Sequence, residues 1–415
     1  MSMRRVTLDY LRTETGSGLI LIGAAAAAIA LANSPWSHAY QAALATPLEV
    51  RIGGFAQSSS LAGWARSGLM AVFFLVLGME LKFELLRGEL AGPRRFALPA
   101  FAAVGGIVGP ALVYMAIDPG GSAWPAACAT DDAVVLALLG VAAPGLGAPL
   151  RVLLMSLALA DNLAAAVIAA LVAPGAVHAP MLVGALTVLA LLALLSRWRR
   201  APFLFYAAGI VLVWGFALKS GLDPALAGAA AALTVPVGAR RPGQESTLKY
   251  FMESLHPYVA FVILPLFVFS AAGFTLAGSW PRAGMAAPVL GLVLALWLGK
   301  PLGVFGMAAL GVALRLARRP SGAHWVEIAG VALMSGAGFT ISFYVIGDGP
   351  GAAPLRLAAT AASLLSAASG AALLAWTQER RRLSEAELAP SGPAPRRSPR
   401  RFAWPPRSRP ARRRP

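Results

Sequence analysis

Apolar runs of about 17 to 25 residues recur from near Gly18 to Thr377, and a helix of that length crosses a hydrocarbon core of about 30 Å. In hydrocarbon every backbone N–H and C=O must be bonded within the protein, so runs of this length are expected to be helices. Twelve segments can be drawn, at residues 17–33, 65–85, 97–117, 122–141, 150–173, 180–196, 203–219, 224–238, 256–276, 286–312, 324–346 and 357–377. Pro224–Gly238 is the shortest. Of the 415 residues 58% are hydrophobic and only 13% charged, a balance that excludes an ordinary water-soluble globule. The expected fold class is an all-α membrane protein with twelve transmembrane helices.

The run that begins at Gly18 has no small-residue cleavage site followed by a secreted domain, so it is expected to stay in the membrane. Cys128, the only cysteine, lies inside a hydrophobic run, which rules out an internal disulfide framework and a multi-cysteine metal site. No cofactor and no enzymatic centre are expected.

Basic residues set the orientation, because cytoplasmic loops carry the excess of lysine and arginine. One side of a twelve-span arrangement holds Arg4, Arg5, Arg12, Lys82, Arg87, Arg94, Arg95, Arg151, Arg197, Arg199, Arg200, Arg240, Arg241, Lys249, Arg315, Arg318 and Arg319. The other holds Arg51, Arg66, Lys219, Arg282 and Arg356. Both termini are therefore expected in the cytoplasm. Residues 1–378 form the membrane domain and 379–415 a separate tail, rich in arginine, proline and serine, that cannot build a core. That tail fits either a contact with anionic lipid or nucleic acid or a disordered segment that reinforces topology. The second reading is adopted, so membrane lipid is an expected partner and nucleic acid is not.

Four ionisable residues lie well inside the runs: Asp131 and Asp132 in the fourth, Asp161 in the fifth and Lys300 in the tenth. Each costs at least about 2.5 to 3.5 kcal/mol at mid-bilayer, so four in one chain call for partners, water or an ion. Asp161 lies roughly 15 Å along a helix from Arg151, which is mid-membrane depth. A lysine at position 300 has a property no arginine has, since it can lose its proton when buried.

Two segments carry marks of interrupted helices. SGAGFT (335–340) places Gly336 and Gly338 in an apolar run, and ATDD (129–132) follows Pro125. The glycines fit either a helix break or a close helix contact. Unwound backbone at membrane depth is tolerated where protein buries it or water lines it, as in transporter binding sites.

The motifs LMAVFFLVLGMELK (69–82), ATDDA (129–133), LALADNL (157–163), LHPYVA (255–260), ILPLFVF (263–269), GKPLG (299–303) and MSGAGFTIS (334–342) together resemble the bacterial NhaA sodium/proton antiporters. The resemblance covers roughly residues 15–377. It implies an inverted-repeat fold in which the fourth and eleventh segments are interrupted and cross at mid-membrane; this family is itself an example of that architecture. It also implies that sodium leaves the cell in exchange for entering protons by alternating access. The family's threonine-aspartate pair falls on Thr130 and Asp131, and its lysine on Lys300. Where broken helices cross, an aspartate can offset positive N-terminal ends and a lysine negative C-terminal ends. The same residues also fit a structural charge pair with no ion path. Asp161 and Asp131 are the expected sodium ligands.

The family has two adjacent aspartates in the fifth segment, and the second is its main ion and proton carrier. Here Asp161 is followed by Asn162. An amide oxygen can coordinate sodium but offers no titratable proton near neutral pH. One unit charge at 4 Å contributes about 4 kcal/mol at an effective dielectric of 20, so its loss lowers sodium affinity by up to about a thousandfold. Asp132 is a second departure, standing where the family has an apolar residue. It either supplies a replacement carboxylate or caps the half-helix that follows. The competing functional reading is a membrane protein that keeps the fold, has lost or altered exchange, and acts as a sensor or interaction partner.

Glu80 and Glu84 lie on one helical face, and Glu253 and His256 are three apart in the ninth segment, a region the family uses for its pH response. Glu253 replaces a family histidine and Met252 a glutamate. PLEVRIGGFAQ (47–57) alternates apolar and polar residues into a Gly-Gly pair and predicts an extracytoplasmic β-hairpin. The family pairs such hairpins at their edges, so the resemblance implies a homodimer.

Overall fold

The computed structural model describes residues 3–52, 55–88, 90–172, 177–197, 203–238, 246–277, 284–349 and 351–388. Contacts divide the chain into Met1–Gln378 and Glu379–Pro415. Of the second unit only residues 379–388 are described, and they are helical; the rest of the basic tail lies outside the described residues, as does the Gly53–Gly54 pair.

The first elements are α1 (Met3–Ala32), α2 (Ser37–Ala45), β1 (Pro47–Ile52) and β2 (Phe55–Ser60). The strands pair antiparallel with Pro47 opposite Ser60, so the second strand runs three residues beyond the expected hairpin. Next come α3 (Leu61–Trp64), a π-turn at Ala65–Leu69, α4 (Met70–Leu86) and α5 (Pro93–Ile117). A 3-10 turn at Trp124–Ala127 precedes α6 (Asp132–Ala142), α7 (Ala148–Val172), α8 (Ala179–Arg197), α9 (Phe203–Ser220) and α10 (Pro224–Thr234). Then follow α11 (Thr247–Tyr258), a π-turn at Val259–Ile263, α12 (Leu264–Ala271) and α13 (Ala286–Leu294). A π-turn at Ala295–Gly299 leads into α14 (Lys300–Ala313), α15 (Trp325–Ser335), α16 (Phe339–Ile346) and α17 (Ala352–Leu388).

Among the described residues eight helical stretches are long and apolar enough to cross a membrane, or up to nine if the bent α1–α2 pair is one span. Leu204–Ser220 and Pro224–Thr234 are shorter apolar helices. The difference from twelve has a physical origin in such short elements: the segment read as 224–238 is helical only to Thr234, where an extended Val235 ends it.

Burial separates the helices into an inner and an outer set. In the apolar window of Trp325–Ile346, which holds α15 and α16, 83% of residues are buried, and 72% in Trp124–Ala142, against 11% in Ala179–Arg197. The most apolar helix is thus among the least enclosed, as expected where lipid replaces protein as the neighbour, while the enclosed segments are the two that are interrupted.

Two glycine pairs bring α5 into backbone contact with α14 and the π-turn that leads into it. A Cβ on Gly105 would lie 2.0 Å from the Gly303 carbonyl oxygen, one on Gly109 2.3 Å from that of Gly299, and one on Gly303 2.1 Å from that of Gly105. Both pairs have the G-x-x-x-G spacing that lets membrane helices approach closely. Gly106, on the same helix, presents its bare face to Asp161, whose carboxylate oxygens would lie 3.1 Å from an added Cβ. The α5–α14 contact therefore sets how deeply Lys300 reaches towards Asp161.

Gly303→Val is expected to destabilise the protein by about 1 to 3 kcal/mol, the usual cost of overpacking, and to lower its thermal midpoint in detergent. Gly306→Ala, three residues further along α14 with nothing within 4 Å of the added carbon, should leave that midpoint unchanged or raise it. Equal melting of the two variants would contradict the assigned close contact.

Candidate functional site

The fourth segment loses its helix between the 3-10 turn and α6. Cys128, Ala129, Thr130 and Asp131 cross the gap, with Asp131 extended at φ −91° and ψ 99°. The eleventh segment breaks at Gly336–Gly338. Both glycines there have right-handed backbone angles, so their contribution is space. A Cβ on Gly336 would lie 2.2 Å from the Leu296 carbonyl oxygen, and one on Gly338 2.9 Å from that of Ala129. The break and the close contact expected as alternatives thus occur together.

The two gaps are sewn to each other. The Asp131 backbone N–H donates to the Ala337 carbonyl at 2.7 Å. Its side chain accepts from the Val134 N–H at 3.2 Å and from the Thr340 N–H at 2.9 Å. One carboxylate therefore caps α6 and α16 together, opposite the partial positive charge of both N-termini. Ser342 adds a further tie, its hydroxyl donating to the Ala126 carbonyl at 2.7 Å. Capping belongs to Asp131, which corrects the reading that gave it to Asp132. Asp132 is instead the first helical residue of α6 and half-buried.

Lys300 and Asp161 are both fully buried. The Lys300 ammonium donates at 2.6 Å to the carbonyls of Cys128 and Ala129 and at 2.6 Å to Thr130 Oγ1. Its fourth oxygen neighbour is Asp161 Oδ2, at 2.9 Å. The positive charge therefore sits at the carbonyl end of the first half of the fourth segment, where the partial charge is negative. Thr130 Oγ1 lies 3.1 Å from Asp161 Oδ2 and 2.9 Å from the Ser335 carbonyl, and its single proton serves one of them at a time. Asp161 Oδ1 is buried without a hydrogen-bond partner among the described residues.

Asn162 is buried beside this cluster, and its Oδ1 accepts from the Thr130 backbone N–H at 3.0 Å. It thereby fixes the unwound strand that carries three of the four oxygens around Lys300. Thr130, Asp161, Asn162 and Lys300 thus form one bonded cluster, while Asp131, next in the chain to Thr130, is engaged by the helix ends instead.

Glu80, Glu84, Glu253 and His256 lie apart from it. They line a separate cavity of about 370 Å³ together with Phe83, Met155, Leu159, Met252 and Pro257. His256 Nδ1 lies 3.1 Å from Glu80 Oε1, and Glu253 pairs with Lys249 at 3.4 Å.

Sequence reasoning passed over Gly106, Ser335, Thr340 and Ser342. The glycine spacing at 105–109 and 299–303 carried a readable signal for the helix contact. The serine and threonine contributions to the crossing had none, because they depend on which backbone groups the breaks leave exposed.

The sequence profile described as Na+/H+ antiporter 1 matches residues 8–377. The chain is 41% identical over 348 residues to the Na(+)/H(+) antiporter NhaA of Rhodospirillum rubrum, a similarity covering 81% of this chain and 86% of that one. It is 38% identical over 387 residues to the Na(+)/H(+) antiporter NhaA 1 of Syntrophotalea carbinolica, covering 90% and 97%. The NhaA of Pseudomonas putida strain GB-1 is 39% identical over 347 residues, covering 83% and 88%. With a family match across nearly the whole helical unit and relatives aligned over most of both lengths, this chain belongs to the Na+/H+ antiporter 1 family.

Proposed function

We propose that this protein is a twelve-span bacterial inner-membrane antiporter that extrudes sodium in exchange for external protons. The observation that carries the reading is the fully buried Lys300–Asp161 pair, enclosed by oxygens where two broken helices meet. A structural ion pair needs no open acceptor, whereas Asp161 retains one buried oxygen without a partner. Asp161 binds sodium with Thr130 beside it, and Lys300 competes for the same oxygens. Asp131, the other expected sodium ligand, has its carboxylate engaged by the Val134 and Thr340 N–H groups. It serves chiefly to hold the two half-helices, so that the crossing moves as a unit between inward and outward access. Asp132 remains a supplementary carboxylate. Glu80, Glu84, Glu253 and His256 form the cytoplasmic pH-responsive cluster, and the resemblance to NhaA relatives supports that role.

Asn162 favours a second reading, a transport-deficient protein with the same fold, since the amide supplies no charge to the ion. Sodium-dependent proton flux in reconstituted vesicles separates the two. The parent should exchange, Asp161→Asn should abolish exchange, and Asn162→Asp should raise sodium affinity by up to about a thousandfold. Inactivity of the parent and of Asn162→Asp, with both folded, would sink the antiport reading.

The basic bias of the loops gives the orientation, with both termini cytoplasmic. The native Cys128 is buried and should contribute no labelling background. With an impermeant reagent applied outside intact cells, Ser58→Cys should react and Ser321→Cys should not; the reverse pattern would invert the topology.

The hairpin is proposed to join two copies edge to edge, because a two-stranded sheet is only marginally stable alone and leaves unpaired edges. Its ends adjoin, the Leu61 N–H donating to the Thr46 carbonyl at 3.1 Å, so residues 47–59 can be removed while Ser60, whose hydroxyl caps α3, stays in place. The parent should run as a dimer in detergent by light scattering, and the deletion should shift it to monomer. An unchanged dimer would refute the hairpin contact.

A further inference from the structure

A cavity of about 570 Å³ lies where the spans Arg95–Ile117 and Ala148–Val172 begin, at the level where an apolar run meets the polar boundary of a bilayer. It shares no lining residue with the helix crossing or with the cavity around Glu80 and His256. Its wall changes character with depth. Arg95 stands in the first turn of α5 and Arg318 in the connection between α14 and α15, both exposed. Leu98 and Pro99 follow roughly 5 Å further into α5, at 1.5 Å per residue, and Val152 and Leu153 lie in the second turn of α7. A charged mouth over an apolar throat is the pattern an amphiphile matches.

The charge at the mouth is uncompensated from within. Neither arginine forms an ion pair with an acidic side chain among the described residues, and no carboxylate lines the cavity. Two 25-residue helices also present their N-termini here, and neither α5 nor α7 has an acidic residue in its first turn. The N-cap of α5 is Gly92, which has no side chain to accept from the orphan N–H groups. Two guanidinium groups and two partially positive helix ends therefore face one space, and all four favour an anion.

We propose that this cavity binds one anionic phospholipid, its phosphate held between Arg95 and Arg318 and the start of an acyl chain lying against Leu98, Pro99, Val152 and Leu153. Arginine suits the role, since its planar fork matches a phosphate with two parallel bonds. A free phosphate would meet the charge and leave the apolar throat in water. A zwitterionic lipid would bring its own cation to a mouth that is already positive. The bound lipid bridges α5, α7 and the connection into α15, so it ties together the elements behind Lys300, Asp161 and the crossing. The assignment needs the membrane placement of the two spans and does not depend on antiport.

The test is native mass spectrometry of the full chain in detergent, titrated with phosphatidylglycerol or phosphatidylcholine. The parent should retain one phosphatidylglycerol per chain at concentrations about tenfold below those needed for phosphatidylcholine. Arg95→Gln with Arg318→Gln should erase that preference while eluting and melting as the parent does without lipid, because both side chains are exposed. Arg87→Gln with Arg197→Gln removes the same charge elsewhere and should keep the preference; an equal loss there would mean diffuse attraction and overturn the site. Val152→Phe fills the throat without altering charge and should weaken phosphatidylglycerol binding; parental binding in this variant would remove the acyl chain from the cavity. Inorganic phosphate that displaced the lipid at equal concentration would make this an ion site and refute the lipid assignment. The chain without its hairpin should retain the lipid, since no hairpin residue lines the cavity, whereas its loss would move the lipid to a contact between copies.

Discussion

The ion pair between Lys300 and Asp161 is the constraint on which the centre of this protein depends. Neither group touches solvent, and removing one partner of such a pair typically costs about 3 to 5 kcal/mol because the other charge is left stranded. The surrounding structure is arranged to avoid that cost. The glycines of α5 and α14 let the backbones approach, Gly106 leaves room for the Asp161 carboxylate, and the π-turn at Ala295–Gly299 delivers Lys300 as the first residue of α14. The lysine then finds acceptors only because the fourth segment is unwound where it arrives. A continuous helix would have spent the carbonyls of Cys128 and Ala129 on its own ladder.

The interrupted helices solve a second electrostatic problem. Each break creates a carbonyl end and an N–H end inside the membrane, with partial charges of roughly half an elementary charge and no water to satisfy them. Asp131 takes the N–H ends of α6 and α16, and Lys300 takes the carbonyl end before the first gap. At the far end of α16, Arg356 donates to the Gly347 carbonyl at 2.6 Å and pairs with Asp348, while Arg66 lies 5.2 Å over the Tyr344 ring. Both ends of this eight-residue helix are thus bound by charge. Such a short helix has almost no stability of its own, so what fixes its position is these terminal partners together with its burial.

Much of this was legible in the sequence, and the limits have physical causes. Apolar run length pointed to a helical membrane fold, and charges placed inside runs singled out Asp131, Asp161 and Lys300, because a mid-membrane charge is too costly to be incidental. The number of crossings was harder to read. Composition distinguishes lipid-compatible residues but does not say where Thr234 ends a helix or where Trp36 turns one. The assignment of the cap to Asp131 rather than Asp132 was also beyond reach, since adjacent aspartates are equally good caps until the backbone angles at the break are known. Ser342 and Thr340 escaped for the same reason: their partners are backbone groups freed by an interruption whose exact register the glycines only approximate.

Asn162 can be understood by separating what its shape does from what its charge does. Its oxygen accepts the Thr130 N–H, and that bond holds the unwound strand from which Thr130 faces Lys300. A carboxylate is the same shape and accepts the same bond at least as well, so the geometry of the cluster does not require an amide. What the amide changes is the charge. With Asp131 committed to two helix ends, a second carboxylate next to Asp161 would leave Lys300 facing two negative groups in a space closed to solvent. Such pairs settle their repulsion by one member holding a proton. An amide at that position removes the repulsion and leaves one carboxylate paired with one ammonium. The departure from the family pattern is therefore the loss of one negative charge from a scaffold whose shape it preserves.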